Sequence, residues 1–194
     1  MGGKGYETGH SFPFISDGHS YQDRMYMLLD SLPDSAKASS LCESYLNYYA
    51  WFFQPLSRGE LFQDLLTPTL SHRNTVNHPD GELRSIKPHS IAVLFFIFAI
   101  ASSMDQSHLS ESGKYYQLGR LALSMRSVFD APLLDTIQAV SLMAAFTSNS
   151  GGKHAVEESW SYLGLAIRLA TSVSGSFVLS YPNAEVICSL GWAS

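Results

Sequence analysis

Seven histidines, two cysteines and scattered carboxylates are the side chains of this 194-residue chain that could hold a metal or move a proton. The histidines are His10, His19, His72, His78, His89, His108 and His154. None pairs at the i, i+4 spacing with which two imidazoles on one helical face grip a metal, and no acidic residue stands in the frame that would complete such a site. They read as surface or loop histidines, with His72 and His78 sharing one polar loop. Cys42 and Cys188 cannot form a disulfide framework, nor build a Cys-rich zinc site alone. Cys42 lies in an aromatic helical stretch with no histidine near it in sequence, so it reads as a packed or half-exposed thiol.

Ser150-Gly151-Gly152-Lys153 invites comparison with a phosphate-binding loop. That motif wants Gly where this chain has Thr147, Ser or Thr where it has His154, and a strand in front. A helix–helix turn is the expectation. Gly-x-Ser-x-Gly, the nucleophile elbow, does not occur. Glu111, Asp135, Glu157 and Glu158 fall at predicted helix starts, where a carboxylate complements the positive end of the helix dipole. No catalytic, cofactor-binding or metal-ligating residue is therefore assigned, and no enzyme is expected.

The aromatic run Tyr45, Tyr48, Tyr49, Trp51, Phe52 and Phe53 is the densest feature. A platform for stacking bases would interleave Lys and Arg, and none occurs between Lys37 and Arg58. The run reads as a helix–helix core, with an apolar ligand pocket between helices as its second use.

These residues need elements to position them. One domain is the expectation at this length. Hydrophobic residues are 45% and charged residues 15%, against roughly 25% charged in an average soluble domain, so a sizeable core can form. The net charge of −5 argues against a basic nucleic-acid surface. Met1–Phe14 is polar and Gly-rich, without the apolar stretch of a secretory signal, and Tyr6 stands where a myristoylation motif wants Ser or Thr. The most apolar run, 91–101, is too short for a span of ~20 residues. There is no N-x-S/T sequon and no Lys/Arg cluster of an import signal, and a reducing compartment, cytosol or nucleus, is expected.

Residues 1–20 read as a flexible leader. Helical periodicity starts at Tyr21. A helix over 22–31 buries Met25, Leu28, Leu29 and Leu32 and ends at Pro33. Ser35 caps the next, whose face is Leu41, Tyr45, Tyr48 and Phe52, up to Pro55. Ser57 and Glu60 form a capping box ahead of Leu61, Phe62, Leu65 and Leu66. Residues 68–88 read as a polar connection, long for a plain loop, and so either mobile or holding a short element of its own. Pro88 suits a first helical turn, and the helix from there to Met104 is apolar on nearly every face, so others must surround it. Ser110 opens a helix with the stripe Tyr115, Leu118, Ala122, Met125 and Phe129, and with Gln117, Arg120, Ser124 and Ser127 on its wet side. Asp135–Gln138 repeats the cap pattern, with Leu134 as a hydrophobic staple, and Asn149–Gly152 ends that helix. The last helix begins near His154 with the stripe Val156, Trp160, Leu163, Ile167 and Ala170. No alternating β pattern recurs, so the fold class is all-α, an irregular multi-helix bundle.

In their order these segments resemble the regulatory domain, or middle homology region, of fungal zinc-cluster transcription factors. Tyr45-Leu46-Asn47-Tyr48-Tyr49-Ala50-Trp51-Phe52-Phe53-Gln54-Pro55-Leu56, followed by Phe62 and Leu65-Leu66, looks like its opening aromatic-Pro helix. The runs from Ala92 to Ile100, Tyr115 to Leu123 and Thr136 to Met143 look like its next three blocks. Trp160 with Gly164-Leu165-Ala166-Ile167-Arg168-Leu169-Ala170 is the most specific match. Each block alone is weak, but five in register from about Ser40 to Ser172 are not.

The resemblance implies transcriptional regulation in the nucleus, with protein partners or a small effector and no membrane role. Members bind zinc and DNA through an N-terminal cysteine cluster that this chain lacks. Neither zinc nor DNA contact is therefore expected of any residue here, and no cofactor is assigned. Residues 21–172 match the N-terminal half of the regulatory domain, making the bundle a partial one. Members continue with Gly-Leu-His-Arg, whereas this chain runs on as Ser174-Gly175-Ser176. Between Val173 and Ser194 the only charged side chain is Glu185, and Val173-Ser174 can be encoded by GTGAGT, a possible intron start. Residues 173–194 thus read as an atypical tail of translated intron. A half domain would leave apolar helix faces uncovered, so aggregation or capture of a partner is expected of the isolated chain. The alternative reading is a helical protein-interaction or small-ligand-binding module with no DNA role.

Overall fold

A computed structural model describes residues 20–75, 86–105, 108–130 and 132–180. Among these, α1 spans Tyr21–Asp30, α2 Ser35–Tyr48, α3 Thr67–Thr75, α4 Pro88–Met104, α5 Leu109–Ser124, α6 Leu134–Ser148 and α7 Ala155–Ser180. A π-helical segment, Glu60–Leu66, leads directly into α3, and no strand occurs among the described residues. The all-α multi-helix bundle expected from periodicity is what the chain forms. The leader up to His19 and the tail from Tyr181 lie outside the described residues, as do His10, His19, His78 and Cys188.

The bundle is built around α4. Pro88 occupies its first turn, where a missing N–H costs nothing. Val93, Leu94, Phe95, Phe96, Ile97 and Phe98 have no exposed surface, and α2, α5 and α6 pack around them. α5 approaches most closely at Gly119, where a methyl group would stand 2.7 Å from the Phe96 ring. Aromatic side chains knit α4 to α5: Tyr115 lies 5.7 Å from Phe98 and 6.3 Å from Phe95, centre to centre. α7 packs chiefly on α6.

Several starts and stops differ from the sequence expectation. Asp34, not Ser35, caps α2, its carboxylate accepting the Lys37 N–H at 2.9 Å. α2 stops at Tyr48, well before Pro55, because the chain turns at Tyr49: the Tyr45 carbonyl accepts from both Tyr49 and Ala50. α5 starts at Leu109 with His108 at its cap, one residue before Ser110. It ends at Ser124, so Phe129, five residues beyond it, is exposed rather than part of the stripe. Ser124 is buried rather than wet, since its hydroxyl returns to the Leu121 carbonyl at 2.8 Å. Leu134 is exposed and staples nothing; instead the Thr136 hydroxyl accepts the Leu133 N–H.

Within the 68–88 connection, residues 68–75 are helix, the short element that its length allowed for. Pro68 has no N–H to give and crowds the carbonyl four residues back. The π-helical segment before it resolves both problems, because i→i+5 bonding is already in place: Thr67 N–H donates to the Phe62 carbonyl. Five-residue spacing also sets Leu61 and Leu66 on one buried face. The capping box stands as read, with Ser57 N–H to Glu60 at 2.6 Å and Glu60 N–H to the Ser57 hydroxyl at 3.3 Å. Gly151 takes φ 67° in the α6–α7 turn, so the Ser150–Lys153 segment is the helix–helix turn expected.

Candidate functional site

The chemistry-bearing residues are scattered. His72 lies on α3 rather than in a loop, His108 caps α5 within 3.9 Å of Glu111, and His154 is exposed ahead of α7. Among the described residues no three His, Cys, Asp or Glu side chains gather to hold a metal ion. Cys42 is fully buried in α2, and burial pushes its thiol up to about 12, far from a reactive thiolate. Glu111 is held below the usual carboxylate range by Lys37, whose ammonium donates to it at 2.6 and 2.8 Å. Tyr115 also donates to Glu111, at 3.3 Å, and burial with that carboxylate raises its hydroxyl to about 12. Asp135 accepts from Ser90 and from the Thr136 N–H, a helix-start role.

His89 is a correction to the surface-or-loop reading. It sits in the first turn of α4 and is 1% exposed. Nε2–H donates to the Leu123 and Arg126 carbonyls at 3.2 and 3.1 Å, which leaves Nδ1 to accept from the Thr136 hydroxyl at 2.8 Å. One imidazole therefore joins the start of α4 to the end of α5 and the start of α6. Its place inside the most apolar helix was the available signal for its burial.

The aromatic run divides. Tyr45 and Tyr49 are core, the Tyr45 hydroxyl donating to the Phe53 carbonyl at 2.6 Å. Tyr48, Trp51 and Phe52 are 65%, 80% and 64% exposed, against the expectation that the run would be buried between helices. The turn after α2 throws them outward, and the Trp51 indole N–H donates to the Tyr48 carbonyl at 2.9 Å.

These residues form one wall of an open groove of about 520 Å³. The opposite wall is the end of α4 and the start of α5, with Met104 and Leu109, and the floor is the end of α6, with Phe146 and Asn149. Asn149 Nδ2 donates to the Tyr49 hydroxyl at 2.9 Å. Burial raises the Tyr49 hydroxyl above its ordinary value, and that hydrogen bond opposes the rise. Behind the floor Phe146 stacks on Tyr116 at 4.5 Å, and the Arg120 guanidinium lies 5.9 Å from the same ring. No charged side chain lines the groove. It can receive a neutral apolar or aromatic group, with an amide and hydroxyls to orient it.

Fold and groove together define a class: an all-helical bundle with an open aromatic recess at one end. Among the described residues no helix is long and apolar enough to cross a membrane. No protein-family model matches the chain, and neither does any curated protein or solved structure.

Proposed function

We propose that residues 21–172 are the first half of a regulatory domain of the fungal zinc-cluster transcription factor type, acting in the nucleus to modulate DNA-templated transcription without catalysis. The observation that carries this reading is the order and register of the five sequence blocks. Their placement supports it: the second block is the core of α4, the third lies on α5, the fourth on α6 and the fifth on α7, with Gly119 of the third block set against Phe96 of the second. The first block supplies the wall of the groove, where a small effector or a partner's apolar side chain would bind. The family's zinc belongs to a cysteine cluster outside this chain; the described residues do not fit it, since Cys42 is buried in the core and no three His, Cys, Asp or Glu side chains gather among them.

Fused to a heterologous DNA-binding domain in a fungal host, the chain is expected to shift reporter output severalfold from the level of that domain alone. Trp51→Ala with Phe52→Ala should return the output toward that level while leaving helical content intact, because both side chains are exposed. A folded fusion that leaves the reporter unchanged would overturn the reading. A cysteine cluster encoded upstream of Met1 is the expected result of sequencing the locus.

The second reading, a helical ligand- or protein-binding module with no DNA role, draws on the uncharged aromatic lining of the groove. A locus without the cysteine cluster would favour it.

A further inference from the structure

The stripe expected to be the buried face of α7 points outward. Val156, Trp160 and Ile167 are 60%, 68% and 58% exposed, and Leu163 and Ala170 are half-buried. The face turned inward is Ala155, Ser159, Tyr162, Leu165, Ala166 and Leu169, with the Ser159 hydroxyl donating to the Ala144 carbonyl of α6 at 2.9 Å. α7 therefore carries two neighbouring apolar faces, and only one of them is covered among the described residues.

We propose that the second face is the docking surface for another copy of this chain, α7 against α7, running antiparallel about Leu163.

Three observations lead there. The outward residues are spaced 4, 3, 4 and 3, the rhythm with which a helix presents a seam to another helix. A helix rather than a loop or strand is thus the shape that fits. The flanking charges then choose the partner and its direction. Glu157 and Arg168, both exposed, are eleven residues apart, about three turns, and so lie on the same flank of the stripe. Among the described residues neither makes an ion pair. An antiparallel copy centred at Leu163 sets each Glu157 beside the partner copy's Arg168, twice per dimer. A parallel copy in register would put the two charged flanks on opposite sides of the seam and leave both charges without a partner across it. The same centre brings Trp160 of each copy against Ile167 of the other and opposes the helix dipoles.

The area is adequate for a weak dimer. Beside the stripe, a groove of about 330 Å³ floored by Ser141, Ala144, Ala145 and Ser148 extends the apolar surface to Phe52, itself 64% exposed. A buried aromatic side chain contributes roughly 150–250 Å², so two copies bring on the order of 1,000 Å² to the seam. Stable interfaces bury about 1,200–2,000 Å² in total, so this pair falls just below that range, in the size class of weak, concentration-dependent association. This inference rests on α7 and the groove beside it, not on the transcriptional reading.

The test is sedimentation of the full chain over about 1–200 µM, a range chosen for an interface of that size. A concentration-dependent dimer is expected, with saturation at two copies. Trp160→Asp should leave a monomer with unchanged helical content. Glu157→Arg alone and Arg168→Glu alone should each weaken the dimer about tenfold, since each turns two attractive pairs into two repulsive ones. Mixing those two variants should restore association as a heterodimer, in which every pair is again opposite in sign. A chain that stays monomeric at the highest concentration overturns the proposal, leaving the face to another partner or to further helices of a longer chain. So does open-ended aggregation, or a dimer insensitive to the charge reversals and their mixture.

Discussion

Phe96→Ala is expected to lower the stability of the folded chain by about 3–5 kcal/mol, the range for deleting a fully buried phenylalanine. Domains of this size are stable by only ~5–15 kcal/mol, so the urea midpoint should fall by a large fraction of its value. The ring touches Tyr116, 5.8 Å away centre to centre, and occupies the space a side chain at Gly119 would need. Gly119→Ala alone should therefore destabilise by about 1–2 kcal/mol: overpacking exceeds the ~1 kcal/mol that alanine gains over glycine within a helix. With Phe96→Ala present, the added methyl enters the vacated space, and Gly119→Ala should become neutral or stabilising. The two substitutions thus couple by at least about 1 kcal/mol. Gly113→Ala on the same helix, with nothing within 4 Å, should stabilise by up to ~1 kcal/mol. A double-mutant cycle by urea unfolding with circular dichroism reads all four values. An additive cycle would mean that α5 does not rest on the Phe96 ring.

His89→Leu carries the second large effect, a loss of roughly 2–3 kcal/mol, because the Leu123 and Arg126 carbonyls lose their donor inside the bundle. Its pH dependence is specific. Burial depresses the imidazole below its ordinary value of 6.5, with Arg126 adding to the fall, while the two carbonyls and Asp135 oppose it. The unfolded chain therefore takes up the proton first on acidification. His89 contributes stability above the unfolded value, and that contribution is lost as the pH falls from about 6.5 toward the depressed folded value. Glu43, Glu60 and Glu111 are all held below 4.5 in the fold, so their stabilising contributions are lost only at lower pH. Denaturation between pH 7.5 and 5.5 should show a falling midpoint for the native chain and a nearly flat one for His89→Leu. Parallel slopes for the two would refute the assignment of that fall to His89.

How much could be read from residues alone depends on what each signal encodes. The ends of α4 were legible because Pro88 and Asp105 mark them and the stretch from Ile91 to Ala101 is apolar without a break. The Ser57–Glu60 box and the Gly151 turn were legible because each is a local device that needs no partner helix. Periodicity on α7 identified an apolar stripe but could not choose between two adjacent apolar faces. The face turned inward carries Ala155, Tyr162, Leu165, Ala166 and Leu169, a set that the apolar period alone does not separate from its neighbour. The helix over 68–75 was not placed within the polar connection, since the i→i+5 bonding that accommodates Pro68 has no mark of its own in sequence. The groove was named only as an apolar pocket: its aromatic wall was quoted, but Met104, Leu109 and Asn149 reach it from three other helices, beyond any local pattern.

The exposure of Trp51 and Trp160 also decides what light can report about this molecule. Among the described residues both indoles face solvent, while the interior is lit only by phenylalanine and tyrosine. Emission from these two indoles is thus a gauge of the surface: red-shifted while the bundle is intact, little changed when the core melts, and blue-shifted when something settles over the turn after α2 or along α7.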